Sequence, residues 1–240
     1  MQFLPASLRR LGGPVANAGL FSASVVVYGG MRFLCISDIH GHAAALRRVL
    51  DDAATREFHQ LIVCGDSLFP GPAPLETWRI LTERRALCVQ GLSDRALHDI
   101  DPNKLTATTP DEQARIRRLR DVRREVGELI IARLGKLPTS ARLPLESGQE
   151  ILVVHGSPMD PTEALSPEME DNELSALLGD NPADLVVCGA SHVPFCRELG
   201  DVRIVSVGSV GESPASGYAH ATIIDASSAG VQIEQFDVEL

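Results

Sequence analysis

The stretch RFLCISDIHG, residues 32–41, decides the fold class of this chain. Its apolar first half is typical of a short buried strand, and polar residues follow directly. Asp38 and His40 stand two residues apart just past that strand, so both side chains can reach one cation while Ile39 points to the core. Gly41 then allows a tight turn into the next element.

The same order of strand and helix continues along the first hundred residues. Apolar residues recur at helical spacing over residues 43–58 and 75–84, and the apolar runs 61–64 and 86–90 alternate with them. A β-α-β-α-β order implies a largely parallel sheet whose carboxyl ends meet at one crevice.

Beyond residue 145 the pattern is mostly β, with one helix predicted at 171–178. The predicted strands are 151–154, 185–188, 203–207, 221–225 and 231–236. We therefore expect an α/β protein with two packed sheets and helices outside them.

Residues 110–134 predict one long helix that interrupts this rhythm. It carries one apolar stripe, and arginines, six of them within residues 115–124, occupy much of the rest of its surface. The simplest interpretation is that the stripe packs on the core and the arginines are solvated. A homo-oligomer contact through this helix and a lid over a substrate remain open alternatives.

Length and composition describe an ordinary globular chain. The 240 residues are enough for one domain with a sizeable core. The net charge of −10 argues against binding of a nucleic acid polymer, but a bound cation would still let the protein accept a small anionic substrate.

Three features of the sequence concern localisation, namely the apolar runs, the first thirty residues and the cysteines. No run reaches the roughly 20 apolar residues of a membrane span. We expect residues 1–30 to be a disordered extension, although Arg9-Arg10 before an apolar stretch leaves an export signal open. The five cysteines form no CxxC pair and are predicted to be buried reduced thiols, which favours a cytoplasmic protein.

Short polar clusters follow four apolar runs of the chain. These clusters are Asp38-Ile39-His40-Gly41, Gly65-Asp66, His155-Gly156 and Gly189-Ala190-Ser191-His192. Each alone is weak evidence, since an Asp before a helix is often a cap and a single His is often structural. Carboxylates and imidazoles from several strand ends are nevertheless the ligands of a metal-dependent hydrolase. The remaining candidates His59, His98 and His220 fall outside these clusters and are expected at the surface or in turns.

Taken in order, the clusters resemble the calcineurin-like metallophosphoesterase superfamily, and its small bacterial phosphodiesterase branch most of all, over about residues 31–238. The family order D-x-H, G-D, G-N-x-D, H-G and G-H-x-H corresponds here to Asp38-Ile39-His40, Gly65-Asp66, Gly91-Leu92-Ser93-Asp94, His155-Gly156 and Gly189-Ala190-Ser191-His192. The resemblance implies a four-layer αββα sandwich, with two mixed β-sheets flanked by helices, over residues 31–240. A helical insertion is expected at about residues 97–137.

The resemblance also implies two divalent metal ions, manganese first and iron, zinc, nickel or magnesium as alternatives. The first ion would be held by Asp38, His40, Asp66 and His192. The second would be held by Asp66 and His155, together with an Asn and a His that are here Leu92 and Ala190. Neither replacement can donate a lone pair to a metal, so we expect one intact and one impaired site.

The implied reaction is hydrolysis of a small phosphodiester or nucleotide by a metal-bound hydroxide. The catalytic candidates are Asp66, His155, Ser93 and Asp94, although Asp94 could instead cap a helix. Arg95 and His155 are the candidates for binding the phosphate.

Two other hypotheses about the function of this chain remain open. The chain could be a degenerate relative that binds a nucleotide or protein partner without turnover, because Leu92 and Ala190 remove ligands. It could also be an oligomeric scaffold that uses the arginine-rich helix.

Overall fold

Two five-stranded sheets form the centre of the structure, a computed structural model that describes residues 27–180 and 182–240. The strands are β1 Met31–Ile36, β2 Gln60–Val63, β3 Leu87–Cys88, β4 Ser140–Pro144, β5 Glu150–Val154, β6 Leu185–Cys188, β7 Pro194–Leu199, β8 Val202–Val207, β9 Tyr218–Ser227 and β10 Gly230–Glu239. The helices are α1 Ala43–Ala53, α2 Pro74–Glu83, α3 Leu92–Asp99, α4 Pro110–Val126, α5 Glu128–Leu134 and α6 Asp171–Leu178.

Both sheets are mixed, as the family resemblance implies. The first has the order β10-β9-β1-β2-β3, in which β1, β2 and β3 are parallel and β9 and β10 are antiparallel. The second has the order β4-β5-β6-β8-β7, with a parallel centre and antiparallel edges. The parallel strands β1, β2, β5 and β6 each end at the site described below.

The core consists of three apolar layers, one between the two sheets and one on the outer face of each sheet. Successive residues of a strand point to opposite faces of its sheet, so one strand contributes to two layers. Phe33 and Cys35 of β1 face the second sheet, in a cluster with Val153 and Val187. The neighbouring residue Leu34 points the other way and packs under α1 and α2, and α6 covers the outer face of the second sheet. This arrangement is the predicted four-layer αββα sandwich.

The segment between the two halves differs from its sequence prediction. The single helix expected over residues 110–134 is two helices, because Gly127 adopts φ +77° and ends α4. Helix α3 and the edge strands β4 and β7 were not predicted, and β3 has two residues where a strand over 86–90 was expected. Helices α3, α4 and α5 form their own apolar cluster around Leu68.

Two of the α4 arginines are not solvated in the way the sequence suggests. Arg118 donates to the main-chain carbonyls of Pro70 and Gly71, and Arg123 donates to the carbonyl of Leu97. These arginines therefore tie α4 to the loop after β2 and to α3.

The first described residues of the chain pair with the segment that follows β4. Residues 1–26 of the expected extension lie outside the described residues, but Tyr28 forms a bridge with Leu145 and its N–H donates to the carbonyl of Pro144 at 2.9 Å. None of the helices in residues 27–180 and 182–240 combines the length and the apolar composition of a membrane span. Cys196 is exposed, which differs from the expectation of five buried thiols.

Candidate metal centre

Turns after strands of both sheets deliver the polar residues of the site. Asp38 and His40 follow β1, Asp66 follows β2, His155 follows β5 and His192 follows β6. Asp38, His40, Asp66 and His192 have φ between +48° and +59°. Non-glycine residues rarely adopt this left-handed conformation, and such residues cluster at functional sites.

The first donor group consists of Asp38, His40 and His192. Asp38 Oδ1 lies 3.2 Å from His192 Nε2 and 3.6 Å from His40 Nε2, and the two Nε2 atoms are 3.4 Å apart. Ligand atoms about 2.1 Å from a cation at the corners of a tetrahedron lie about 3.4 Å apart. The three donor atoms therefore have the spacing of metal ligands.

The second donor group consists of Asp38, Asp66 and His155. His155 Nε2 lies 3.5 Å from Asp66 Oδ1, and all donor atoms of the group lie within 4.8 Å of one another. The two groups share Asp38, whereas the family pattern led us to expect Asp66 as the shared residue. All five predicted ligands thus lie close together, at the carboxyl ends of β1, β2, β5 and β6.

The three histidines have a common second contact that orients their rings. In each, Nδ1 lies within hydrogen-bond distance of a main-chain carbonyl, and as N–H it donates to that carbonyl. The partners are Phe69 O at 2.6 Å for His40, Cys64 O at 2.7 Å for His155 and Glu212 O at 3.0 Å for His192. This tautomer leaves each Nε2 lone pair directed at the donor groups, which is the arrangement that metal-ligating histidines use.

The environment of the buried Asp38 carboxylate favours a positive charge at the site. Its side chain is fully buried, Oδ2 accepts the Ala190 N–H at 3.0 Å, and Oδ1 has no hydrogen-bond partner. A buried carboxylate oxygen without a partner is costly, and a cation would satisfy it. Burial opposes ionisation, yet His192 and His40 hold the pKa of Asp38 well below its usual range. Burial lowers the pKa of His40, but Asp38 outweighs this effect and raises the pKa to about 9. A cation bound at Nε2 would therefore replace a proton there and leave the neutral tautomer described above.

Asp94 acts on the site through the main chain. Its fully buried carboxylate accepts N–H groups of Asp66 at 2.9 Å, Ser67 at 3.0 Å and Gly91 at 3.1 Å. Burial, and then the charge of Asp66, raise the pKa of Asp94 to about 6. The bond to Gly91 caps α3, and the other two fix the turn that carries Asp66. Sequence reasoning places Asp94 among catalytic candidates, and its contacts are those of a positioning residue.

Ser93 and Arg95 are less directly connected to the donor groups. The Ser93 N–H donates to Asp66 Oδ1 at 2.8 Å, while its hydroxyl is buried without a partner. Arg95 is exposed and pairs with Asp99 at 3.1 Å on the surface of α3. The predicted catalytic role of Ser93 and the predicted phosphate contact of Arg95 stay predictions.

The two positions at which the family pattern predicts an Asn and a His ligand carry side chains without a donor atom. Leu92 is the first residue of α3 and is 42% exposed, and Ala190 contributes only its main-chain N–H to Asp38. Neither side chain carries an oxygen, nitrogen or sulfur atom that could bind a cation.

Sequence reasoning missed three residues that lie behind or beside the site. Ser209 Oγ donates to the carbonyl of Asp38 at 2.9 Å and accepts the N–H of Glu212 at 2.8 Å. His220 is buried in β9 and accepts the N–H of Ser209 at 3.3 Å, so the expectation of a surface or turn position was wrong. In this segment the run Gly208-Ser209-Val210-Gly211 also resembles the family pattern, and it is the sequence signal that could have pointed to these residues.

The αββα sandwich with candidate Asp and His ligands at its strand ends is the arrangement of a class of metal-dependent hydrolases. The chain belongs to the calcineurin-like phosphoesterase superfamily, whose domain model matches residues 31–229. This family uses divalent metals, and the described residues include candidate ligands for them.

Solved structures support the same fold. The chain is similar to a metallophosphoesterase from Sphaerobacter thermophilus, at 20% identity and TM-score 0.70 over 88% of this chain and 90% of that chain. It is also similar to protein PH1004 from Pyrococcus horikoshii OT3, at 18% identity and TM-score 0.72 over 87% and 88% of the two chains. At these identities the likeness concerns the fold alone. No curated protein matches the sequence.

Proposed function

We propose that this protein hydrolyses a small phosphodiester or nucleotide with the help of a divalent metal, for which manganese is the first candidate. The observation that carries the proposal is the fully buried Asp38, whose Oδ1 accepts no hydrogen bond and faces the Nε2 atoms of His40 and His192. A cytoplasmic location, predicted from the cysteines, belongs to the same proposal.

The residues present fit a divalent cation. Carboxylate oxygens and imidazole nitrogens suit manganese, iron, nickel and zinc. Asp38, His40 and His192 would hold the first ion, and Asp66 and His155 lie beside Asp38 at the second group. When bound, such an ion supplies Lewis-acid charge to the phosphate and lowers the pKa of water.

The chain's own groups would then orient and protect the reaction centre. Ser93 N–H and the Asp94 carboxylate hold Asp66 in one orientation, so that it needs no rearrangement during the reaction. His155 is 2% exposed, and its ring is fixed by Cys64 O, so its Nε2 is available either to a metal or to a phosphate oxygen.

We propose further that the second site is impaired. Leu92 and Ala190 stand where the family pattern has two ligands, and neither has a lone pair to donate. A second ion would then keep Asp66 and His155, with Asp38 nearby, and bind more weakly than the first.

The alternative function is binding of a nucleotide or protein partner without turnover, and the same two replacements favour it. The double variant Leu92→Asn with Ala190→His discriminates between the two functions. A gain in hydrolysis of at least about tenfold, which corresponds to about 1.4 kcal/mol of transition-state stabilisation, would identify the wild type as an enzyme with an impaired second site. A double variant that binds two ions and still hydrolyses nothing would favour the binding protein.

The direct test uses the purified full chain, manganese and the generic diester bis(p-nitrophenyl) phosphate. We expect hydrolysis that EDTA abolishes and that the variant Asp38→Asn lacks, because this variant loses the buried carboxylate common to both groups. Asp51→Asn, an exposed position on α1, is the matched control and should keep full activity. Hydrolysis unaffected by EDTA, or no hydrolysis under any metal, would refute the proposal.

A further inference from the structure

One carboxylate outside all the motifs of the sequence faces the first donor group. Glu212 Oε2 lies 3.7 Å from His40 Nε2, and the side chain is 40% exposed. Among the described residues, His40 is its only ion-pair partner. Glu212 thus lies at the open side of the site, next to the Nε2 atom that is directed at a cation.

The main chain of Glu212 is fixed to the same group. Its carbonyl accepts Nδ1–H of His192 at 3.0 Å, and its N–H donates to Ser209 Oγ at 2.8 Å. The preceding residue Gly211 donates its N–H to the carbonyl of Asp38 at 3.0 Å. These bonds fix the main chain of Glu212 beside Asp38 and His192, and its 40% exposed side chain extends from there towards His40.

Position and charge both suit a further ligand. The three donor atoms of the first group lie 3.2–3.6 Å apart, and Glu212 Oε2 lies 3.7 Å from the nearest of them, His40 Nε2. Glu212 is outside the group whose donor atoms all lie within 4.8 Å of one another, so its carboxylate would have to turn towards Asp38 and His192 to bind the same cation. With the Asp66 that the family pattern assigns to this ion the protein supplies four ligands, and an octahedral cation such as manganese has room for more. Asp38 supplies one negative charge and an unpartnered oxygen, and a second carboxylate would neutralise a divalent cation fully.

We propose that the Glu212 carboxylate is an additional ligand of the cation held by Asp38, His40 and His192. This inference rests on the proposed metal-dependent function and adds to it a donor that the family motifs do not include. It gives the first site an extra anionic ligand in a chain whose second site has lost two ligands.

The test measures metal binding by the full chain, without substrate. Manganese affinity is measured by isothermal titration calorimetry at neutral pH, and the coordination of Co²⁺ is followed by its visible absorption spectrum. The variant Glu212→Gln keeps the size of the side chain but loses its charge, and we expect its manganese Kd to rise at least about tenfold. Its Co²⁺ spectrum should change shape, since one ligand is lost.

A matched control separates a ligand from a general charge effect. Glu168→Gln removes one negative charge at an exposed position outside all the motifs, and should leave affinity within about twofold of wild type and the Co²⁺ spectrum unchanged. Glu212→Asp keeps the charge but shortens the reach, and should also weaken binding. Circular dichroism confirms that each variant is folded.

Three results would overturn the inference. A Glu212→Gln variant that binds manganese like the wild type, with the wild-type Co²⁺ spectrum, would remove Glu212 from the site while leaving the proposed function intact. An equal loss in Glu168→Gln would identify a net-charge effect. A wild type that binds neither metal would refute the proposed function, and this ligand with it.

Discussion

Individual residues of the centre adopt left-handed main-chain conformations that neighbouring turns hold in place. His40 N–H donates to Asp66 O at 2.9 Å, and Asp38 N–H donates to Gly65 O at 3.2 Å, so the turns after β1 and β2 stabilise each other. Each left-handed non-glycine residue costs of order 1–3 kcal/mol, and it persists only where its surroundings determine it. The close approach of these turns therefore decides the geometry of the donor atoms.

Gly65 is the position where this packing tolerates least change. It has φ +96°, and a Cβ atom there would lie 2.6 Å from His155 Nδ1 and 2.8 Å from Gly91 Cα. We expect Gly65→Ala to lower stability by about 2 kcal/mol or more and manganese affinity by at least about tenfold, because it displaces the His155 ring. Urea unfolding and calorimetric titration measure the two effects.

Gly148→Ala is the control for this prediction, since Gly148 has φ +86° and a Cβ there would meet nothing within 4 Å. It carries the conformational cost without the contact, and should keep wild-type metal affinity. If both variants lost the same stability and the same affinity, contact with His155 would not be the cause.

The candidate ligands could be found in the sequence, because each follows an apolar strand and the order of the clusters matches a family pattern. Asp38, Asp66 and His192 are cases of this local signal. Glu212 and the positioning contacts of Asp94 could not be predicted in the same way. They depend on how turns distant in sequence meet, and no local pattern contains that information.

At the scale of elements, α4 supports the loop that orients His40. Arg118 donates to Pro70 O at 2.6 Å and to Gly71 O, and the adjacent Phe69 O accepts Nδ1–H of His40. The apolar periodicity of residues 110–134 predicted helix, but the break at Gly127 and the inward reach of Arg118 depend on tertiary contacts. The sequence therefore predicted helix in this segment, but not that α4 supports the loop that orients His40.

Removal of the Arg118 guanidinium should loosen this loop. We expect Arg118→Met to raise the manganese Kd by about tenfold, the lower end of the range for residues that orient metal ligands, while the helix itself remains folded. Arg117→Met is the control, because Arg117 is exposed on the same helix and should leave the Kd unchanged. Equal affinities for the two variants and the wild type would contradict a supporting role for α4.

At the scale of the whole molecule, hydrogen bonds connect the site to strand β9 of the first sheet. His220 in β9 is 6% exposed on its side chain, and its Nδ1 accepts Ser209 N–H, while Ser209 Oγ donates to Asp38 O. Burial lowers the pKa of His220, against a smaller opposing effect of Asp237, whose Oδ1 lies 3.8 Å from Nε2. Protonation at Nδ1 would remove the acceptor for Ser209 and disturb the turn that also carries Glu212.

The lowered pKa of His220 makes folding stability depend on pH. The unfolded chain binds a proton at this residue below about pH 6.5, where the folded chain still resists it, so this contribution is fully present above that pH and is lost as the pH falls. We expect the free energy of unfolding, measured by urea titration with EDTA at about pH 7.5 and about pH 5.5, to decrease more in the wild type than in His220→Asn. His98→Asn, at an exposed histidine, should retain the wild-type decrease. An identical pH dependence in wild type and His220→Asn would show that His220 does not couple protonation to the packing behind the metal centre.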